Sequence, residues 1–251
     1  MSWRDRVEFM KICRNWYYIL PYYMRDNFLR KCEPSQSKKV LVKLRNGLKF
    51  LARTKGHDLG FIVQIFSYDE YRFPRRKMGM VIDVGAHIGI FTCLAASYAD
   101  KVIAIEPCPD NFSLLKENIK LNGFKNVIPI QMALAGRSGT RTLFISKYGT
   151  GNHSLVPFDI KDIKDAIECK TCTLEELLKT YKIERVSFMK VDCEGCEYEV
   201  LDSSRNILDK IERIAVDSHH GYTDKLVELL KEEGFIVESR ATLVYAVKGD
   251  A

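Results

Sequence analysis

At 251 residues, 46% hydrophobic and 29% charged, the chain carries enough apolar side chains for a large core and is neither a disordered nor a collagenous sequence. Its net charge of +6, from 39 basic and 33 acidic residues, permits an anionic partner without demanding one. Eight cysteines point to a reducing, cytoplasmic setting rather than a disulfide scaffold, and no secretory leader is expected, because the first apolar cluster, Trp16 to Met24, is broken by Pro21 and is too short to span a bilayer.

Residues 3–32 place apolar and aromatic side chains at helical spacing among Arg4, Arg6, Lys11, Arg14, Arg25, Arg30 and Lys31. A helical lid packing its aromatics on the core is the favoured reading; a basic amphipathic surface for peripheral contact with membrane, glycolipid or nucleic acid is the other. Val40–Leu44 and Leu48–Leu51 flank Arg45-Asn46-Gly47, a strong tight-hairpin signal, and a helical run from Asp58 to Phe66 follows. Residues 1–78 therefore read as an appendage of helix, β-hairpin and lid helix, and residues 79–251 as the core.

From residue 79, strand patterns near 80–84, 102–106, 127–132, 186–191, 212–217, 235–239 and 243–247 alternate with helical patterns near 89–98, 110–122, 173–181, 196–203 and 222–233. That alternation predicts an α/β fold with a mostly parallel seven-stranded sheet, Rossmann-like, closed by an antiparallel edge hairpin from the last two strands. An insertion at about 140–172 carries short β patterns, Thr140–Ser146 and Ile167–Thr171, around Gly149-Thr150-Gly151-Asn152.

In open α/β sheets ligands gather at the C-terminal ends of the strands, and three polar clusters fall there. The first is the turn Asp83-Val84-Gly85-Ala86-His87-Ile88-Gly89. The second is Glu106, placed to accept a ribose diol, with Pro107 after it. The third is Asp192-Cys193-Glu194-Gly195-Cys196-Glu197, with Asp217, His219 and His220 at the next strand end. The D-x-G-x-x-x-G spacing departs from the G-x-G-x-x-G pyrophosphate loop and suits a nucleoside cofactor with a cationic end, of which S-adenosylmethionine is the obvious instance. Carboxylates and a histidine on neighbouring strand tips can act as general base or hold a hard divalent cation.

In these four motifs, Val81–Thr92, Glu106-Pro107, Asp192–Glu197 and Asp217–His219, the sequence resembles the FkbM family of S-adenosylmethionine-dependent methyltransferases, over most of its length from the Asn-Gly hairpin onward. His87 stands where that family often has Asn, and Gln64 where an acid is expected. The resemblance implies a class I methyltransferase fold and methyl transfer, mostly to hydroxyl oxygens of sugars or natural products. It puts Asp83, Gly85, Ala86 and Gly89 at the methionine moiety, Glu106 at the ribose, and Met132-Ala133 near adenine. Asp192, Glu194 and His219 are the catalytic candidates. Either His219 serves as base or a divalent ion on Asp192, Glu194 and Asp217 lowers the hydroxyl pKa. Glu197 reads as a cap of the following helix.

Cys169-x-x-Cys172 and Cys193-x-x-Cys196 fit a structural zinc template, but Cys169 and Cys172, an odd spacing apart on a strand pattern, should face opposite ways. Cys108 reads as a loop thiol beside the ribose. The competing functions are an RNA methyltransferase using the basic N-terminal region and a zinc-stabilised, non-catalytic cofactor-binding protein. A nicotinamide dehydrogenase is disfavoured by the missing G-x-G-x-x-G. The acceptor, glycan or small metabolite, and the oligomeric state are left open by the sequence.

Overall fold

A computed structural model describes residues 3–28, 37–157 and 159–249. The predicted single N-terminal helix is two, α1 (Trp3–Ile12) and α2 (Trp16–Phe28), separated at Cys13, whose backbone bridges Leu44 of the hairpin. Arg30 and Lys31 lie outside the described residues. The hairpin pairs β1 (Lys39–Lys43) with β2 (Lys49–Arg53), and α3 (Asp58–Phe66) follows.

The central sheet contains β3 (Met78–Val84), β4 (Ala99–Ile105), β5 (Val127–Ile130), β9 (Phe188–Val191), β10 (Arg213–Asp217), β11 (Phe235–Arg240) and β12 (Leu243–Lys248), in the order β11-β12-β10-β9-β3-β4-β5. Strands β5, β4, β3, β9 and β10 run parallel, and β12 is antiparallel to both β10 and β11. This is the class I methyltransferase arrangement. The last two strands do form an antiparallel hairpin, but its second strand inserts between β10 and β11 and leaves β11 outermost.

Between the strands run α4 (Ile90–Ala96), α5 (Pro109–Leu121), α6 (Leu174–Thr180), α7 (Glu197–Asp202) and α8 (Thr223–Glu232). Their boundaries follow local chemistry. Pro109 starts α5, where a missing N–H costs nothing. A Thr173–Glu176 capping box starts α6. Leu226, Leu229 and Leu230 give α8 one buried stripe.

The strand expected over 127–132 stops at Ile130. Pro129 lacks the N–H a central strand would need, and β5 accordingly sits at the sheet edge. The chain then leaves the sheet: β6 (Ala133–Leu134) pairs with β8 (Ile163–Cys172), which also pairs antiparallel with β7 (Gly139–Ser146). The insertion is thus one arm of a separate three-stranded sheet. The appendage, in turn, shares its core with the main sheet. Phe9, Ile19, Phe50, Leu59 and Ile62 are buried in one cluster with Val81, Phe91 and Phe188. Among the described residues no helix is long and apolar enough to cross a membrane.

Candidate active site

The turn after β3 is tight because the backbone of another strand lies against it. Gly85 has φ 76°, and a Cβ there would sit 1.8 Å from the carbonyl oxygen of Asp192. Gly89, at φ 86°, would meet Leu115 of α5 at 2.6 Å. Between them His87 adopts φ 53°, a left-handed conformation uncommon outside glycine, asparagine, aspartate and histidine. Its N–H donates to Glu106 Oε2 at 2.8 Å, while the Cys108 N–H donates to Glu106 Oε1 at 2.8 Å. Burial raises the pKa of the Glu106 carboxyl, and the His87 charge and these hydrogen bonds pull against it.

Beside this turn lies a cavity with about 850 Å³ of empty space, its open mouth included. Gly85, Ala86, Glu106, Pro107 and Ala133 line one part and Lys190, Asp192 and Glu194 another, with Phe61, Ile65 and Tyr71 of the appendage and Leu143, His153 and Leu155 of the insertion completing the wall. Three expected cofactor residues stand elsewhere, one of them Gly89, which lies against Leu115 of α5. Met132 packs against the core, and its place on the wall is taken by Ala133 and Leu134, because the chain has left the sheet before it. Asp83 is fully buried behind the turn, accepting from Thr92 Oγ1 at 2.6 Å, and organises the site from beneath.

Asp83 is matched by Lys190, a buried lysine that strand periodicity alone does not flag. Lys190 Nζ lies 3.2 Å from Asp83 Oδ1 and 3.6 Å from Asp192 Oδ2. It donates to the carbonyl oxygens of Gly85 (2.8 Å) and Val84 (3.3 Å) while Asp83 Oδ1 supplies the ion-pair contact. Burial opposes the ammonium charge, but Asp83 and Asp192 outweigh it and hold the Lys190 pKa above its usual value. The sequence signal was a lysine inside Phe188-Met189-Lys190-Val191, four buried residues of a central strand. Tyr71, whose hydroxyl donates to Asp192 Oδ2 at 2.7 Å, carried no signal, since it lies in a connecting segment.

At the end of β9 the polypeptide turns through Glu194, another left-handed residue at φ 57°. Glu197, expected as a helix cap, accepts the N–H groups of Cys193 and Gly195, each at 3.0 Å, and also bonds His219 Nδ1 at 3.1 Å. His219 Nε2 lies 3.4 Å from Glu194 Oε2. Burial alone would lower the His219 pKa, but its bond to Glu197 and the charge of Glu194 raise it to about 10. Burial raises the Glu194 carboxyl to about 8 against the opposing pull of His219. His219, whose pKa Glu197 and Glu194 hold up against burial, does not line the cavity, whereas Glu194 does.

Asp217, at the end of β10, has its carboxyl raised by burial and by Asp192. The cation site expected from Asp192, Glu194 and Asp217 is not the grouping formed. Among the described residues Asp192, Glu197 and His219 are the side chains with ligand atoms within 4.8 Å of one another. Hydrogen bonds already engage much of that set: Glu197 bonds His219 Nδ1 and accepts two backbone N–H groups, and Tyr71 donates to Asp192. None of Cys169, Cys172, Cys193 and Cys196 belongs to that grouping, and burial raises the thiol pKa of Cys172 to about 11 and that of Cys196 to about 12.

A buried polar knot ties the appendage to the turn. Arg53 donates to Asp58 through Nε (2.9 Å) and Nη2 (3.1 Å) and to Asn111 Oδ1 at 2.7 Å, and its Nη2 is 3.2 Å from His87 Nε2. Thr150 of the insertion closes the knot, 2.6 Å from Asp58 Oδ1 and 3.0 Å from His87 Nε2. Burial would raise the Asp58 carboxyl, but Arg53 and His87 hold it well below the usual range. Nearby, burial and the charges of His87 and Arg53 push the His153 imidazole down to about 3, while His153 Nδ1 accepts the Ser146 N–H at 3.1 Å.

Comparison with known proteins identifies the family. The chain is 32% identical over 152 residues to the hexuronic acid methyltransferase AglP of Haloferax volcanii, an alignment covering 60% of each protein. It is 26% identical over 208 residues to methyltransferase sdnD of Sordaria araneosa, covering 69% of this chain and 80% of that one. Among solved structures, methyltransferase FkbM from Methylobacillus flagellatus aligns with a TM-score of 0.48 at 16% identity, over 75% of this chain and 53% of that one. The family profile of the methyltransferase FkbM domain matches residues 83–237, from the β3 turn into β11 and through all the strand ends described above, and the protein belongs to the FkbM methyltransferase family.

Proposed function

We propose that the protein transfers a methyl group from S-adenosylmethionine to a hydroxyl oxygen, on a sugar, glycan or other hydroxylated small molecule. The observation that carries this reading is Glu194: a cavity-lining carboxylate with its pKa raised to about 8, set beside Asp192 and backed by the His219–Glu197 pair. A hydroxyl needs help to lose its proton, and a carboxylate tuned near the operating pH supplies it.

The residues present suit the cofactor. Glu106 Oε1 accepts the Cys108 N–H and, at 3.5 Å, Asn111 Nδ2, while Oε2 accepts the His87 N–H and keeps lone-pair capacity for a ribose hydroxyl. Ala86, Pro107, Ala133 and Leu134 offer apolar wall for a base, and the carboxylate of Asp192 suits a cationic end. Bound S-adenosylmethionine supplies an electrophilic methyl on a good leaving group, so the protein's main task is alignment. Glu194 accepts the acceptor's proton. His219, fixed by Glu197, stabilises the Glu194 carboxylate, and Lys190 and Tyr71 orient Asp192 beside it. Sugar hydroxyls are favoured as acceptors by the likeness to a hexuronic acid methyltransferase.

The test has two stages. S-adenosylhomocysteine should raise the melting temperature and NAD should not, since a ligand stabilises only the state it binds. Labelled methyl should then enter a hydroxylated acceptor from a panel that includes uronic acids and simple glycans. Incorporation into RNA and into no panel member would replace this reading with the nucleic-acid one.

A further inference from the structure

The outer face of the N-terminal helices is unlike the rest of the surface. Each helix has an inner side: Phe9 of α1 stacks on Tyr23 of α2 with ring centroids 4.5 Å apart, and Ile19 is buried beside them, with both helices packed against α3. The outer side is composed differently. Within residues 3–25 the exposed positions are Trp3, Arg4, Lys11, Arg14, Tyr17, Tyr18, Pro21 and Arg25. Trp3 and Tyr17 are 78% and 71% exposed.

These residues are ordered. At 100° per residue, Trp3, Arg4 and Lys11 fall within an arc of about 100° on α1, and Tyr17, Tyr18, Pro21 and Arg25 within a similar arc on α2. Phe9, Ile19 and Tyr23 project from the opposite sides, into the core the two helices share, so both stripes face outward from it. Every charged residue in the exposed set is basic. The acids of this segment are turned aside: Asp5 accepts the Tyr68 hydroxyl at 2.5 Å, and Glu8 pairs with Lys11 at 2.8 Å.

Aromatic rings with a polar edge beside exposed cations form the chemistry that seats a protein at the headgroup level of an anionic bilayer. The rings enter the interface and the cations meet the lipid phosphates. We propose that the outer face of α1 and α2 docks on an anionic lipid surface, as a peripheral attachment independent of the methyl-transfer site. Nucleic acid would also meet cations and rings, but the aromatics here are spread over the outer side of two helices, and among the described residues none of them lines a pocket that could hold a strand.

Flotation of the full chain with phosphatidylserine-containing vesicles is the test. The protein should float with these vesicles at low salt, stay behind with pure phosphatidylcholine, and be released as salt rises. Each of Arg4→Ala, Arg14→Ala and Arg25→Ala should weaken partitioning about fivefold. The triple variant Trp3→Ala, Tyr17→Ala, Tyr18→Ala should abolish flotation while its melting temperature and S-adenosylhomocysteine binding match the parent's. With Trp16→Phe, leaving Trp3 as the sole tryptophan, emission should shift to the blue on adding vesicles. Failure of the folded parent to float, flotation unaffected by the aromatic substitutions, or tighter binding of single-stranded RNA through the same residues would each overturn the proposal.

Discussion

The two ends of the cavity hold their carboxylates in opposite ways. Glu106, at the end of β4, has both oxygens engaged by backbone N–H groups of the adjoining turns. Its environment is fixed by the peptide chain and offers little to titrate but much to shape a ligand. At the ends of β9 and β10, Asp192, Glu194, Glu197 and Asp217 crowd against one another and against two cations, Lys190 and His219. There the charges are balanced by side chains that carry exchangeable protons. On the proposed reading one end binds and the other moves a proton, and Lys190, bonded to Gly85 O and 3.6 Å from Asp192, spans the two.

That division can be broken or sharpened by experiment. The largest expected effect is Glu194→Gln, which should cut turnover by about 10²–10⁴-fold while S-adenosylhomocysteine affinity is kept. In the parent enzyme activity should rise with pH as Glu194 loses its proton around its raised pKa of about 8, and this limb should vanish in the variant. A variant that loses cofactor binding instead would erase the distinction between the ends. Lys190→Met comes next. It leaves the buried Asp83 carboxylate without its counter-ion, and chemical denaturation should report a loss of about 3–5 kcal/mol.

Gly85→Ala should cost about 1–3 kcal/mol and weaken S-adenosylhomocysteine binding, because its methyl meets the Asp192 backbone and not a movable side chain. Acid should act on the knot around the binding end. His153, half-buried, has its pKa lowered from 6.5 to about 3 by burial and by the charges of His87 and Arg53. Between those values the unfolded chain binds the proton that the folded chain refuses, so stability falls as pH drops below about 6.5. The Asp58 carboxyl, held below its usual range, adds a loss of the same sign at lower pH. Melting curves should register on the order of 2 kcal/mol for His153, and His153→Gln should flatten the upper part of the decline. The smallest effect is expected from EDTA, which should leave turnover unchanged because the protein's own hydrogens occupy Glu197 and Asp192. Restoration of lost activity by a divalent cation would reverse that view of the proton-moving end.

Much of this was legible in the sequence because it is local. The Asp83–Gly89 turn, the Glu106 strand end and the Asp192–Glu197 turn each declare themselves within a few residues, and the strand-helix alternation orders them. Partners brought in from far away were not legible. Nothing near Arg53 or Asp58 announces His87 or Thr150, and Tyr71 reaches Asp192 from 121 positions away. Protonation was hidden for the same reason: His219 looks like a base until Glu197 and Glu194 are seen flanking it. Met132 was misplaced because a strand pattern does not reveal where the chain peels away from its neighbours.

The placement of β12 between β10 and β11 governs the order in which the molecule can be completed during synthesis. Until residue 248 has been added, β10 presents an unpaired edge, and β11, already made, has nowhere to attach. From the completion of β10 at Asp217 to that of β12 at Lys248 the nascent chain therefore carries an open, sticky strand edge, and β10 stays exposed to wrong pairing until the strand that covers it emerges.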